Sequence, residues 1–341
     1  MHDWGTDKMM HSIVSRYALS SAALALFVGC GGSQPPIGAP GTMPQSRAIA
    51  THAERGGSWM LPGAKGDDLL YVSVYDDQTS SGNVFVFSYS TQRLVGTLSG
   101  FFNPTRACVD NTGDVFITDF GNGQTVEYSH GGTQPIEILK SPTFPIGCSV
   151  NATTGNLAVA NVPYGNYRVS LLSIYRNAKG SPENFHNNKM ANMEDCAYDN
   201  RGRIIAVGWK GYTNYRSVFA MLLKRKAALK IMTFKGEPHG ALPQSVQWDG
   251  KYLAVTESDS IVQFAVSGRT GEAQGQTNLT GAGSVFASWI TQALGSVVVA
   301  STKPEEVEYY NYPAGGSPTA KISFQPYQEL GGVAVSLAPR R

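Results

Sequence analysis

Charge is scarce in this sequence, and so is histidine. Lysine and arginine number 27 and aspartate and glutamate 25, together 15% of 341 residues, leaving a formal net charge of +2; about 25% charged residues is ordinary. A near-neutral chain lacks the basic face that displaces counterions from phosphate, which excludes an electrostatic nucleic-acid binder. The one basic run, Lys224-Arg225-Lys226, is too short for that task and reads as a solvated loop. Of the six histidines, His2 and His11 precede the first apolar run, His52 follows a Gly/Pro-rich stretch, and His130, His186 and His239 stand far apart. No HxxxH pair, nucleophile elbow or phosphate-cradling loop occurs. Apolar material is ample by contrast: 42% hydrophobic residues and 10% aromatics exclude a low-hydrophobicity disordered chain. Glycine is abundant too, at 38 residues, a surplus that all-β chains place in turns.

The apolar run near the start, Tyr17 to Gly29, spans 13 residues, short of the roughly 20 that a membrane-crossing helix needs. It follows Lys8, His11 and Arg16, so charged start, short apolar centre and small terminal residue together predict a secretory signal over 1–29. The run ends at Phe27-Val28-Gly29-Cys30, which resembles the lipobox of bacterial lipoproteins. The resemblance implies cleavage before Cys30, a diacylglycerol on its thiol and acylation of the new amino group. Gly31 rather than Asp after that cysteine implies, by the same likeness, sorting to the outer membrane. The Gly/Pro/Ser-rich stretch Gly31 to Pro44 fits a tether that lifts a domain off a membrane, and we assign 30–66 to that role.

From residue 67 onward the chain repeats. Short apolar runs start at Leu69, Val115, Leu157, Ile204, Leu253 and Val297, separated by 42 to 49 residues. Each is followed by a second β-type run, such as Val84–Ser88 or Leu171–Tyr175, and in most modules by a third, such as Ile136–Leu139 or Lys230–Phe234. A fourth run closes each module: Ala107–Asp110, Gly147–Val150, Asp195–Tyr198, Ser245–Trp248, Phe286–Ile290 and Gly332–Val335. Four strands at a 40–50 residue period mark a propeller blade. The predicted fold is therefore all-β, a six-bladed β-propeller over 67–341. Because the chain enters at a second-type strand and leaves on a fourth-type one, the C-terminal strand is expected to complete the first blade, which removes an open edge.

The modules resemble the NHL-type propeller family, whose unit runs Pro-x-Gly-apolar-Ala-Val-Asp, a turn, then Gly-Asn-apolar-Tyr-Val. Phe144-Pro145-Ile146-Gly147-Cys148-Ser149-Val150-Asn151 followed by Gly155-Asn156-Leu157-Ala158-Val159 carries the likeness best, and Gly332-Val333-Ala334-Val335 matches the strand alone. Six-bladed relatives of that shape include sugar lactonases with Ca²⁺ near the axis, and lyases occur on longer propellers.

Three cysteines remain after Cys30, namely Cys108, Cys148 and Cys196, all in fourth-type strands. Equivalent positions in neighbouring blades are expected to lie beyond the ~7 Å Cα limit for bridging, and Cys108 is offset by one place and so faces the other way. All three are expected as small core fillers. Asp110, Asn151, Asp199 and Asp249 recur after the fourth strand and are read as turn formers rather than Ca²⁺ ligands. The loops before the innermost strands vary from blade to blade, and variation on a constant frame is how a pocket is specified. They supply the candidate binding residues Arg106, Glu194, Asp195, Gln244, Trp289 and Glu329, which would form a polar, mixed-charge site with Arg106 facing Glu194 and Glu329 across a funnel, the alternative being solvated rim residues.

Two functions compete on these grounds. The first is a monomeric, extracytoplasmic propeller, anchored in the cell envelope through lipid on Cys30. It acts as a non-catalytic binding or scaffold module for a protein, peptide or glycan and needs no cofactor. The second is a propeller enzyme of the sugar-lactonase or lyase type with Ca²⁺ near the axis. Glu194 could serve as one ligand there, but no matching Asn–Asn–Asp series accompanies it.

Overall fold

A computed structural model describes residues 57–163, 169–210, 216–223, 228–236 and 243–339 of the chain. The signal, Cys30 and most of the tether lie outside the described residues, as does Lys224-Arg225-Lys226.

Six sheets, antiparallel but for one added outer strand, stand around an axis. Blade I contains β1 (Trp59–Met60), β2 (Leu69–Asp76), β3 (Ser81–Ser88) and β4 (Leu94–Phe101). Blade II is β5 (Pro104–Val109), β6 (Val115–Asp119), β7 (Gln124–Tyr128) and β8 (Pro135–Lys140). Blade III is β9 (Phe144–Val150), β10 (Leu157–Val162), β11 (Leu171–Tyr175) and β12 (Glu183–Phe185). Blade IV is β13 (Asn192–Tyr198), β14 (Ile204–Lys210), β15 (Arg216–Leu223) and β16 (Ala228–Ile231). Blade V joins β17 (Thr233–Lys235) to β18 (Ser245–Trp248), β19 (Leu253–Thr256), β20 (Ser260–Ser267) and β21 (Thr270–Asn278). Blade VI is β22 (Ser284–Thr291), β23 (Ser296–Thr302), β24 (Glu306–Asn311) and β25 (Ala320–Ser323).

The last strand, β26 (Gln328–Ser336), returns to blade I and pairs antiparallel with β2 from Leu69↔Ser336 to Asp76↔Gln328. The C-terminal strand is thus the innermost strand of the first blade, as the order of runs predicts. It passes very near β5: a Cβ on Gly331 would lie 2.3 Å from the Pro104 carbonyl oxygen, and one on Gly332 would lie 2.8 Å from the Arg106 Cα. Only glycine allows that approach. His130 ties the segment entering β2 to the end of β26, its Nδ1 2.7 Å from Ser336 Oγ and its Nε2 3.0 Å from the Asp67 carbonyl.

The second strand of each blade explains the strength of the repeat signal. β6, β10 and β19 are buried along their whole length, because blades cover both faces. A strand buried on both faces reads as a continuous apolar run rather than an alternating one. Outer strands alternate or are exposed and leave fainter traces.

Two boundaries differ from the sequence reading. The folded body starts before residue 67, since Trp59 and Met60 pair with Thr97 and Gly96 at the outer edge of blade I. The run Lys230–Phe234 divides between two blades: β16 closes blade IV, while β17 adds in parallel to β21 of blade V. Phe234 drives the division by stacking on Phe219, ring centroids 4.0 Å apart, and meeting Phe264 edge-on at 4.8 Å. These contacts fill the junction of blades IV and V.

Candidate functional site: the axial channel

The innermost strands β5, β9, β13, β18, β22 and β26 line a central cavity of about 170 Å³. Alternation along these strands decides what meets what. In β5, β9, β13 and β18 the position two before the turn-forming Asp110, Asn151, Asp199 or Asp249 faces the following blade, and the position three before it faces the preceding one.

Cys108 and Cys148 occupy those two positions in blades II and III, and they form a disulfide with Cα atoms 5.7 Å apart. This corrects the expectation that both are unpaired fillers. Innermost strands converge on the axis, so neighbours stand within bridging distance. The one-place offset, taken as sending the thiols apart, is what turns them toward each other. Cys196 occupies the same place as Cys148 one blade on, and it is free and buried. Opposite it stands Ser149, whose Oγ accepts the Tyr198 N–H at 3.0 Å. Gln247 makes the corresponding tie from blade V to VI, donating to the Ile290 carbonyl at 2.9 Å and accepting its N–H at 2.7 Å. Asp195 links blade IV to V, accepting from Ser245 Oγ and the Val246 N–H, each at 3.0 Å.

Arg106 crosses the axis. Its Nη1 donates to the Glu194 carbonyl at 2.7 Å, and its Nη2 to the Gln244 and Phe286 carbonyls, the latter at 3.3 Å. The guanidinium also lies over the Phe286 ring, 4.8 Å from its centroid. One side chain from blade II therefore clamps blades IV, V and VI. Arg106, Glu194 and Asp195 are 4%, 1% and 4% exposed, so they form a buried core of polar ties rather than a solvated rim. Aligned peptide carbonyls supply the compensation that a charge so deep requires.

The six sequence candidates thus separate. Arg106, Asp195 and Trp289 line the cavity. Glu194 and Gln244 meet Arg106 through their backbone carbonyls. Glu329 sits in β26 opposite Tyr75, apart from the cavity lining. Trp289 faces blade I and packs against the apolar clusters on both sides of it, and against the cluster holding the disulfide. Sequence reasoning missed Gln247 and Trp248 as wall residues and Phe286 as a partner of Arg106; the signal available was their place in the fourth-type strands.

Away from Arg106 the wall grows more exposed, through Val109, Val150, Gln247 and Trp248, toward the turns that follow the innermost strands. Those turns are held by the Asx side chains: Asp110 Oδ1 accepts the Thr112 and Asp114 N–H at 2.8 and 2.9 Å. Asn151 and Asp199 do the same for their own turns. Two donors on the cavity wall, Arg106 Nε and Trp248 Nε1, are buried without a partner.

Burial pushes the Glu194 carboxyl up to about 7, against the pull of Arg106 and with a further push from Asp195. Its Oε1 accepts from Asn192 Nδ2 at 2.8 Å. Because the folded value lies above the ordinary 4.5, Glu194 contributes stability that is complete below about 4.5 and lost as pH rises through about 7. Glu194→Gln is expected to flatten the fall in urea-unfolding free energy over that window; an unchanged slope would assign it to other groups.

The chain matches no protein-family model and no curated protein. Solved structures resemble it at low identity. A chain of a nidogen/laminin complex is 12% identical over 80% of this chain and 98% of its own, with a TM-score of 0.62. A functionally unknown protein from Desulfotomaculum acetoxidans is 10% identical over 80% and 100%, at 0.54. The β-propeller domain of Cps50 (Swd1) from Myceliophteria thermophila is 11% identical over 78% and 86%, at 0.52. These likenesses show a propeller and nothing finer.

Proposed function

We propose that the protein is an extracytoplasmic, lipid-anchored propeller of NHL-type repeats acting as a non-catalytic binding or scaffold module for a protein, peptide or glycan. The observation that carries the reading is the axial channel. Trp289, Arg106 and Trp248 line it, two donors of its wall, Arg106 Nε and Trp248 Nε1, are buried without a partner, and its one acid, Asp195, is engaged within the ring. At about 170 Å³ it takes one group of a ligand, such as an acceptor-bearing side chain or sugar substituent, rather than a whole small molecule. The remainder of the ligand then lies on the face of the Asx turns, opposite to the face favoured by loop variation in the sequence.

A metal-dependent lactonase or lyase fits less well. Glu194 is held by Asn192 and pushed toward its neutral form, and among the described residues no three of His, Cys, Asp and Glu gather to hold an ion. Export draws support from the disulfide, since bridges of this kind form and persist in oxidising compartments.

Two experiments test the reading. Labelling with a fatty-acid probe in a bacterial host is expected to mark the wild type and miss Cys30→Ala, and equal labelling removes the anchor. A photo-crosslinking residue at Trp248 is expected to trap an envelope component that the same residue at Lys230, on an outer strand, does not. Equal trapping at both removes the channel as the binding site.

A further inference from the structure

The outer edges of the blades are not alike. Blade I is capped by β1 and blade V by β17, so twice in this ring an added strand completes an outer edge. Among the blades without such a cap, β12 has three residues, while β16 and β25 each place an exposed lysine, Lys230 and Lys321, in the edge strand. Short strands and lysines are how natural sheets discourage pairing.

Strand β8 of blade II carries an exposed proline and an exposed lysine only at its ends, Pro135 and Lys140, and lacks that protection along its middle. Ile136 is 53% and Ile138 49% exposed, two of the five large hydrophobics that are exposed among the described residues. No backbone hydrogen bond among the described residues ties the outer edge of β8 to another strand. Ile138 stands opposite Val126, a member of the cluster between blades I and II, so both isoleucines extend that apolar face outward. The other face carries Glu137 beside the buried Leu139. Glu137 stands opposite Glu127, and no ion pair neutralises either carboxylate among the described residues. Like charges facing each other across a sheet are unfavourable. Burial, with Asp114, Asp110 and Glu137 beyond it, pushes Glu127 up to about 7 despite Lys179. A cation set against this face would relieve that repulsion.

We propose that the free edge of β8 is a docking site for an extended segment of a partner protein in which apolar residues alternate with lysine or arginine. The segment adds a fifth strand to blade II, as β1 and β17 do in blades I and V. Its backbone pairs with β8, its apolar residues cover Ile136 and Ile138, and its basic residues meet Glu137 and Glu127. Period-two alternation places the two kinds of side chain on opposite faces, which is what this edge presents. A second copy of the chain is the poorer occupant, because symmetric antiparallel pairing of β8 about Glu137 would set that residue against its own copy. This site is distinct from the axial channel and does not depend on it.

The test uses the mature chain and two soluble seven-residue peptides, one alternating lysine with valine, the other glutamate with valine. The lysine peptide is expected to bind, to slow hydrogen exchange at the β8 amides, and to weaken with added salt. The glutamate peptide is expected to bind at least tenfold more weakly, and Glu137→Gln to narrow that difference. Ile136→Lys with Ile138→Lys should abolish binding at an unchanged melting temperature, with Ile136→Thr and Ile138→Thr as the milder pair should the lysines unfold the blade. Equal binding of both peptides, no binding of either, or slowed exchange elsewhere than β8 would overturn the proposal. So would wild-type dimers in sedimentation that the isoleucine variants dissolve.

Discussion

Serine at Cys108 or Cys148 is expected to lower the melting temperature of the ring by about 5–10 °C. The bridge closes a 40-residue loop, and restricting the unfolded chain over that length contributes about 4 kcal/mol in the chain-entropy account. In a domain of this size each kcal/mol moves the midpoint by roughly 2 °C or somewhat more. The bridge joins the innermost strands of blades II and III at the axis. Reductant should lower the melting temperature of the wild type and leave that of the double serine variant unmoved. Insensitivity of the wild type to reductant would mean that the thiols are not bridged.

Arg106→Ala should be comparably damaging. It strands the carbonyls of Glu194, Gln244 and Phe286 in a buried setting and removes the cation from the Phe286 ring. Each buried acceptor left unpaired costs about 1–3 kcal/mol, tempered by any water that enters, so a loss of about 3 kcal/mol or more follows. Arg106 also holds down the pKa values of Glu194 and Asp195. Without it both should rise further, and the loss of stability with rising pH should steepen. Arg106→Lys keeps the charge but not the planar fork that reaches several acceptors, so it should fall between wild type and alanine. Calorimetry across pH 5–8 checks both effects. A shift below about 1 °C would return Arg106 to the solvated rim.

The architecture was legible in the sequence because propeller strands repeat. Runs such as Val115–Asp119 and Leu157–Asn161 carry the period, and the stranded end at Gly332–Val335 shows where the chain must close. The outer strands were harder to place, since Lys230–Phe234 looks like one run until Phe234 packs on Phe219 and Phe264. The axis was least legible. Arg106, Glu194 and Asp195 carry the charge of a rim, and nothing local shows that a guanidinium will cross the ring to bond carbonyls three other blades supply. The cysteines mislead for a geometric reason: strand alternation within one blade turns Cys108 and Cys148 to opposite faces, yet facing blades meet through opposite faces.

Arg106 and a disulfide tie the axis of the ring, and we propose that the ring is an exported, lipid-anchored binding scaffold. The intact mass of the protein recovered from the envelope of a bacterial host, without reductant, tests that most directly. The predicted species starts at Cys30, carries acyl chains, and is two hydrogens lighter than its fully reduced form, with Cys196 alone open to alkylation after unfolding. A species that retains Met1 and has Cys108, Cys148 and Cys196 all alkylated on unfolding would contradict it.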